Sequence, residues 1–133
     1  MAIDNAGVLE GKLDKGDVIY IDFWASWCTP CKNSFSWMNK MHEKYKHDGF
    51  SIIAVTLDKK PEKVTVFLEE IPAKFQILYD PEGQSAIRYG VKAMPSSFLI
   101  NRKGVVVSVN KGFRESETSE LEKKISHLLK EEL

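Results

Sequence analysis

Residues 18–24, VIYIDFW, are apolar, rich in β-branched and aromatic side chains, and broken by one carboxylate. A dense run of this length predicts a buried strand. The period changes after Trp27. Cys31, Phe35, Met38, Met41 and Tyr45 follow at spacings of 4, 3, 3 and 4. That places them on one face of a helix from Thr29 to about Tyr45. Lys32, Asn39, Lys40, Glu43 and Lys44 take its solvent side, and Asp48-Gly49 is a stop signal. FSIIAVTLD, 50–58, predicts a second buried strand.

Pro61 suits a first helical turn. Val64, Phe67, Leu68 and Ile71 make the inward stripe of that helix, and Pro72 stops it. FQILYD, 75–80, reads as a short strand and 83–90 as a short helix closed by Gly90. SFLI, 97–100, and VVVSV, 105–109, flank the turn NRKG and predict a β-hairpin. A last helix spans roughly 116–131, with Leu121, Ile125, Leu128 and Leu129 inward; Ser119 with Glu122 resembles a capping box. The order is β-α-β-α, a short β and α, then β-β-α. Its first half implies parallel strands joined by helical crossovers, and its end an antiparallel pair under a covering helix. The expectation is an α/β fold: a central mixed sheet flanked by helices on both faces, in a single domain over residues 1–133.

Composition narrows the function more than the fold. The chain has 133 residues, 43% hydrophobic and 29% charged, with 19 Lys plus Arg against 19 Asp plus Glu. Balanced, scattered charge argues against a nucleic-acid groove or an anionic membrane surface as partner. No apolar stretch approaches the roughly 20 residues of a membrane span. MAIDNAGVLEGKLDKGD lacks the apolar core of a signal peptide, which read literally means cytoplasmic. A chain separated from its export signal would read the same way.

Both cysteines of the chain sit in FWASWCTPCK, three residues apart, as Cys28 and Cys31. The predicted strand-to-helix junction falls there. Cys28 meets the unpaired N–H groups and positive dipole end of the helix, which favour a thiolate. Such settings lower a cysteine pKa from about 8.5 into roughly the 3.5–7.5 range. Cys31 heads the apolar stripe and is expected to be more buried. Cys28 would then attack a disulfide, and Cys31 would resolve the mixed disulfide. Pro30 between them fixes φ at little cost in a first turn.

Two bland readings compete: a pair of small hydrophobes, or half of a zinc site completed by His42 and His47. The zinc spacing is short by two, and His47 would lie over ~20 Å along an unbroken helix. The expectation is therefore no metal.

FWASWCTPCK closely resembles the thioredoxin superfamily signature, and MPSSFLINRKG, 94–104, resembles that fold's cis-proline segment and last hairpin. The Trp-Cys-x-Pro-Cys form, the FLIN strand and the long segment 59–90 resemble the TlpA/ResA/DsbE type of thiol–disulfide oxidoreductase, over roughly residues 8–131. The resemblance implies a thioredoxin-like fold, with Cys28 as nucleophile and Cys31 as resolving thiol. The redox-active disulfide would be the only redox group, with no other cofactor. Met94 and Pro95 match the cis-proline loop, whose backbone can pair with an extended substrate strand; otherwise they read as a strand-entry turn.

Asp22 matches an acid beneath the cysteines, which would take and return the proton of Cys31. Its alternative is an outward-facing strand residue. Trp27 and Pro30 would join Met94 and Pro95 in contacting substrate, whereas Trp24 reads as core. Ser34 departs from the pattern, because many TlpA/ResA-type reductases carry Glu there. Implied partners are protein disulfide substrates and an upstream membrane or soluble thiol reductase, with the chain a monomer. The implied setting is periplasmic or otherwise extracytoplasmic, and the default role is in cytochrome c maturation. The runner-up readings are a general thioredoxin, a disulfide oxidant, or a zinc-binding or redox-inactive interaction module.

Overall fold

The computed structural model describes Leu13 and residues 16–131. Most of the N-terminal stretch read for an export signal, and the start of the resemblance at residue 8, lie outside the described residues. The elements are β1 (Val18–Trp24), α1 (Thr29–Tyr45), β2 (Phe50–Thr56), α2 (Pro61–Glu70), β3 (Gln76–Tyr79), α3 (Gln84–Arg88), β4 (Ser96–Ile100), β5 (Val106–Lys111) and α4 (Thr118–Lys130). Short 3-10 turns at Lys46–Asp48 and Glu115–Glu117 follow α1 and precede α4.

The strands form one sheet in the order β3-β2-β1-β4-β5. β1, β2 and β3 run parallel, joined through α1 and α2, while β4 and β5 are antiparallel additions beside β1. β1 is therefore central and buried along its whole length. That explains its unalternating sequence, since a strand covered on both faces needs apolar groups on both.

Successive side chains of a strand point to opposite faces. Val18, Tyr20 and Trp24 of β1 join the cluster made with α1, α2 and α4. Ile19, Ile21 and Phe23 join the opposite cluster with Ala86 of α3 and Tyr89 just beyond it. Under α1 the rings of Trp24, Phe35 and Phe67 pack with centroids 4.6–5.1 Å apart. Losing one such buried ring typically costs ~3–5 kcal/mol.

Several boundaries differ from the sequence expectation. β2 stops at Thr56, two residues early, because Asp58 turns its carboxylate back to the Thr56 hydroxyl (2.5 Å). The last strand runs Val106–Lys111, not 105–109. Val105 forms only a bridge across the hairpin turn: its carbonyl accepts from the Asn101 amide (2.9 Å) and its amide donates to Asn101 Oδ1 (3.0 Å). The register also shifts at Leu99/Ile100. Ser119 and Glu122 form no capping box: the residue capping α4 is Glu117, with no side-chain cap bond. Glu122 Oε2 instead accepts hydrogen bonds from Lys44 Nζ (2.5 Å) and the Tyr45 hydroxyl (2.6 Å) on α1. Asn39, expected on the wet side of α1, latches the loop after α2. Its Nδ2 donates to the Pro72 carbonyl (2.8 Å), and its Oδ1 accepts from the Lys74 amide (2.9 Å).

Arg102, in the hairpin turn, gathers three backbone ends. It donates to the carbonyls of Gly16 (2.8 Å), Asp48 (3.0 Å) and Leu129 (2.9 Å). Gly49 is required beneath it. Its φ is +88°, and a Cβ there would fall 2.7 Å from Arg102 Nη1. No helix among the described residues is long and apolar enough to cross a membrane.

Candidate active site

β1 delivers the chain to the edge of the sheet at Trp24, and Ala25–Trp27 turn it into α1. Cys28 is the residue capping α1, in extended conformation (φ −89°, ψ 107°), with no side chain capping the helix. Its amide donates to the Ala25 carbonyl (3.1 Å). Pro30 lies in the first turn, where no helical donor is lost. No acidic residue occupies that turn, so no side chain of the helix's own first turn offsets its positive end beside Cys28. Lys32 is solvent-facing and pairs with Glu70 of α2 at 3.5 Å.

Cys28 and Cys31 are joined in a disulfide, with Cα atoms 5.4 Å apart. The contrast in burial expected between them is small in this oxidised state, 5% against 0% exposed. Position separates them more clearly: Cys28 opens the helix, and Cys31 begins the stripe that packs on the sheet. α1 runs unbroken to Tyr45, so His42 lies near its far end and His47 beyond it.

The loop before Cys28 is pinned by a residue that sequence reading missed. Asp58, 5% exposed, accepts from the Ser26 amide (2.8 Å) and the Ser26 hydroxyl (2.6 Å). It accepts from the Thr56 hydroxyl as well. A buried carboxylate bonded to a backbone amide and two hydroxyls holds its loop firmly. The available signal was a second acid at the end of an apolar strand; its partner lies 32 residues away.

Asp22 points into the protein on the face covered by α1, 1% exposed, so the outward-facing alternative does not hold. Burial pushes its pKa well above the usual carboxyl range. One oxygen, Oδ2, has no hydrogen-bond partner. In register, Asp22 stands between Ala54 of β2 and Ser97 of β4.

The Met94–Pro95 peptide is cis. Pro95 is buried and leads directly into β4. Met94 packs against the cluster that contains both cysteines. Trp27 is 70% exposed beside Cys28, whereas Trp24 is fully buried. Ser34 is buried one turn past Cys31, and its hydroxyl donates to the Cys31 carbonyl (2.9 Å). A hydroxyl satisfied by the turn before it contributes no acid to the site.

The sheet order, with the cysteine pair at the head of α1, is a thioredoxin-like fold. Residues 10–125 match the Redoxin family, and the chain belongs to it. It is 36% identical over 112 residues to the thiol-disulfide oxidoreductase ResA of Bacillus thuringiensis subsp. konkukian, covering 84% of this chain and 65% of that protein. With ResA of Bacillus subtilis it shares 34% over 98 residues, 74% of this chain and 55% of the relative. It therefore spans less than two thirds of the length of these curated relatives.

Among solved structures, a Chlorobium tepidum chain assigned as thiol:disulfide interchange protein DsbE superposes with a TM-score of 0.84 at 50% identity. The match covers 86% of this chain and 82% of that one. StoA from Bacillus subtilis superposes with a TM-score of 0.70 at 26% identity, covering 81% and 83%. These relatives put the chain in the TlpA/ResA/DsbE-like branch.

Proposed function

We propose that this chain is a thiol–disulfide oxidoreductase that reduces protein disulfides, with the Cys28–Cys31 pair as its redox group. The observation that carries the reading is the disulfide itself, set across the first turn of α1 with Cys28 as the capping residue. In the reduced protein the Cys28 thiolate attacks a substrate disulfide, and one substrate sulfur leaves as thiolate. Asp22 accepts the Cys31 proton. The Cys31 sulfur then displaces the second substrate sulfur from Cys28, leaving the oxidised pair seen in the structure. Two electrons pass to the substrate, and an upstream thiol reductase returns them.

Exposed Trp27, Pro30 at the helix head and the Met94–Pro95 loop form the substrate-facing surround in this reading. The names of the ResA and DsbE relatives support it. The resemblance extends it to an extracytoplasmic setting and to substrates in cytochrome c maturation. Satisfied, buried Ser34 leaves Asp22 as the acid of the site.

Insulin reduction tests the reading. Cys28→Ser should lose turnover by at least ~10²-fold, as expected for loss of a nucleophile. Equal turnover by both proteins would overturn it. Equilibrating the pair against glutathione and dithiothreitol buffers tests the direction: a potential more oxidising than glutathione would make the protein a disulfide donor.

A further inference from the structure

Three polar side chains stand in one row across a face of the sheet that is otherwise apolar. Asp22 of β1 pairs in register with Ser97 of β4, and Ser97 with Asn110 of β5. Residues directly opposed on neighbouring strands share a face, with Cβ atoms about 4.5–5.5 Å apart. Tyr20, two residues before Asp22, lies on the same face, with the Ser97 side chain close enough to its hydroxyl to influence it. Burial, and then the charge of Asp22, push the Tyr20 pKa upward. Around this row lie Val18, Trp24, Ala54 and Leu99, all fully buried. Polar groups in such surroundings are costly unless bonded. Yet Asp22 Oδ2 and Asn110 Nδ2, at opposite ends of the row, have no partner.

The row ends at a cavity of about 220 Å³ near β5 and the start of α4. Tyr20, Ser97 and Asn110 line it. Arg114, Glu117, Glu120 and Lys124 are its charged lining, two of each sign, so they impose no strong bias on a proton. The cavity opens to solvent and has room for several waters at ~30 Å³ each. Asp22 does not line the cavity itself. Ser97 adjoins Asp22 in register and, with Tyr20, lines the cavity; each of the two hydroxyls can donate and accept.

We infer that Ser97 and Tyr20 form a hydroxyl relay between Asp22 and this cavity, so that the proton of the resolving step leaves beneath α4 and not past the cysteine pair. The inference rests on the reading that Asp22 takes the Cys31 proton. It gives that reading an exit for the proton, because Cys31 and Asp22 are themselves sealed from solvent. The Cys31 S–H bond breaks, and its proton goes to the Asp22 carboxylate. The Cys31 sulfur supplies the electron pair that displaces the substrate sulfur. Before that displacement, Asp22 hands its proton to the Ser97 oxygen as the Ser97 O–H proton moves on to cavity water, directly or through the Tyr20 hydroxyl, whose own proton then passes to that water. The relay therefore lies ahead of the second release. One proton reaches solvent, and no electrons enter or leave the relay.

Ellman's disulfide makes both steps visible. Reduced protein releases one thionitrobenzoate as Cys28 forms the mixed disulfide and a second as Cys31 resolves it. The Tyr20→Phe, Ser97→Ala double variant should leave the first release unchanged and slow the second roughly five-fold or more, while Asp22→Asn slows it further, toward ~10²-fold. On an Asp22→Asn background the two hydroxyl substitutions should add nothing, a coupling that loss of packing would not produce. An unchanged second release in the double variant, with Asp22→Asn slow, would overturn the relay alone. An unchanged second release in Asp22→Asn would overturn the reading of Asp22 and the relay with it. Equal slowing on both backgrounds would make the hydroxyls structural and overturn the relay. Should the double variant not fold, wild-type rates in mixtures of light and heavy water decide. A curved dependence of the second step supports several protons in flight, and a straight line overturns the relay.

Discussion

Two carboxylates flank the head of α1, and the protein treats them in opposite ways. Asp58 and Asp22 are both sealed from solvent, at 5% and 1% exposure. Asp58 has three donors, the Ser26 amide and the hydroxyls of Ser26 and Thr56. Asp22 has an oxygen that nothing reaches. Burial alone therefore does not mark a chemical group. The number of donors around it separates an anchored carboxylate from one left unsatisfied, whose proton affinity burial raises.

The largest expected difference is in stability. Asp58→Ala leaves three donors facing no acceptor and should cost about 3 kcal/mol in urea unfolding. The same experiment on Asp22→Asn at pH 8 should show a gain instead, because an isosteric amide carries no buried charge. Losses of similar size in both variants would erase the distinction.

The next effect is one of pH. Burial holds the folded pKa of Asp22 above its ordinary value of 3.8. Its favourable contribution is fully present below that value and is lost as pH rises through the folded pKa. Asp22→Asn should therefore gain on wild type as pH climbs from about 4, by ~1.4 kcal/mol for each unit of upward displacement. Parallel stability curves would remove Asp22 from the titrating groups. The smallest effect serves as a control. Lys32→Ala or Glu70→Ala should change stability by less than ~0.5 kcal/mol and vanish in high salt, because the pair is exposed.

Much of this was legible in the sequence because it is local. The 4, 3, 3, 4 spacing from Cys31 to Tyr45 places α1 to the residue, and a carboxylate inside VIYIDFW can hardly be anything but special. What was not legible depends on distant partners. Asp58 is defined by Ser26 across the loop, and the chain leaves the strand after Leu57, whose amide still bonds the Trp24 carbonyl, to make that contact. Glu122 fits a local capping pattern, yet Lys44 and Tyr45, 78 and 77 residues earlier, claim it. Asn39 looked like one more wet helix position until the loop after α2 came to lie against it. The row Asp22–Ser97–Asn110 needs the register of three strands, which no single segment encodes.

Trp27, the residue before Cys28, stands 70% in water, while Trp24 is enclosed by rings in the cluster that holds both cysteines. Disulfides quench indole emission at short range, and thiols do so far less. The protein thus carries its own lamp: opening the bridge should brighten its indole emission. Electron transfer to and from this chain can then be timed by light alone, with no dye attached.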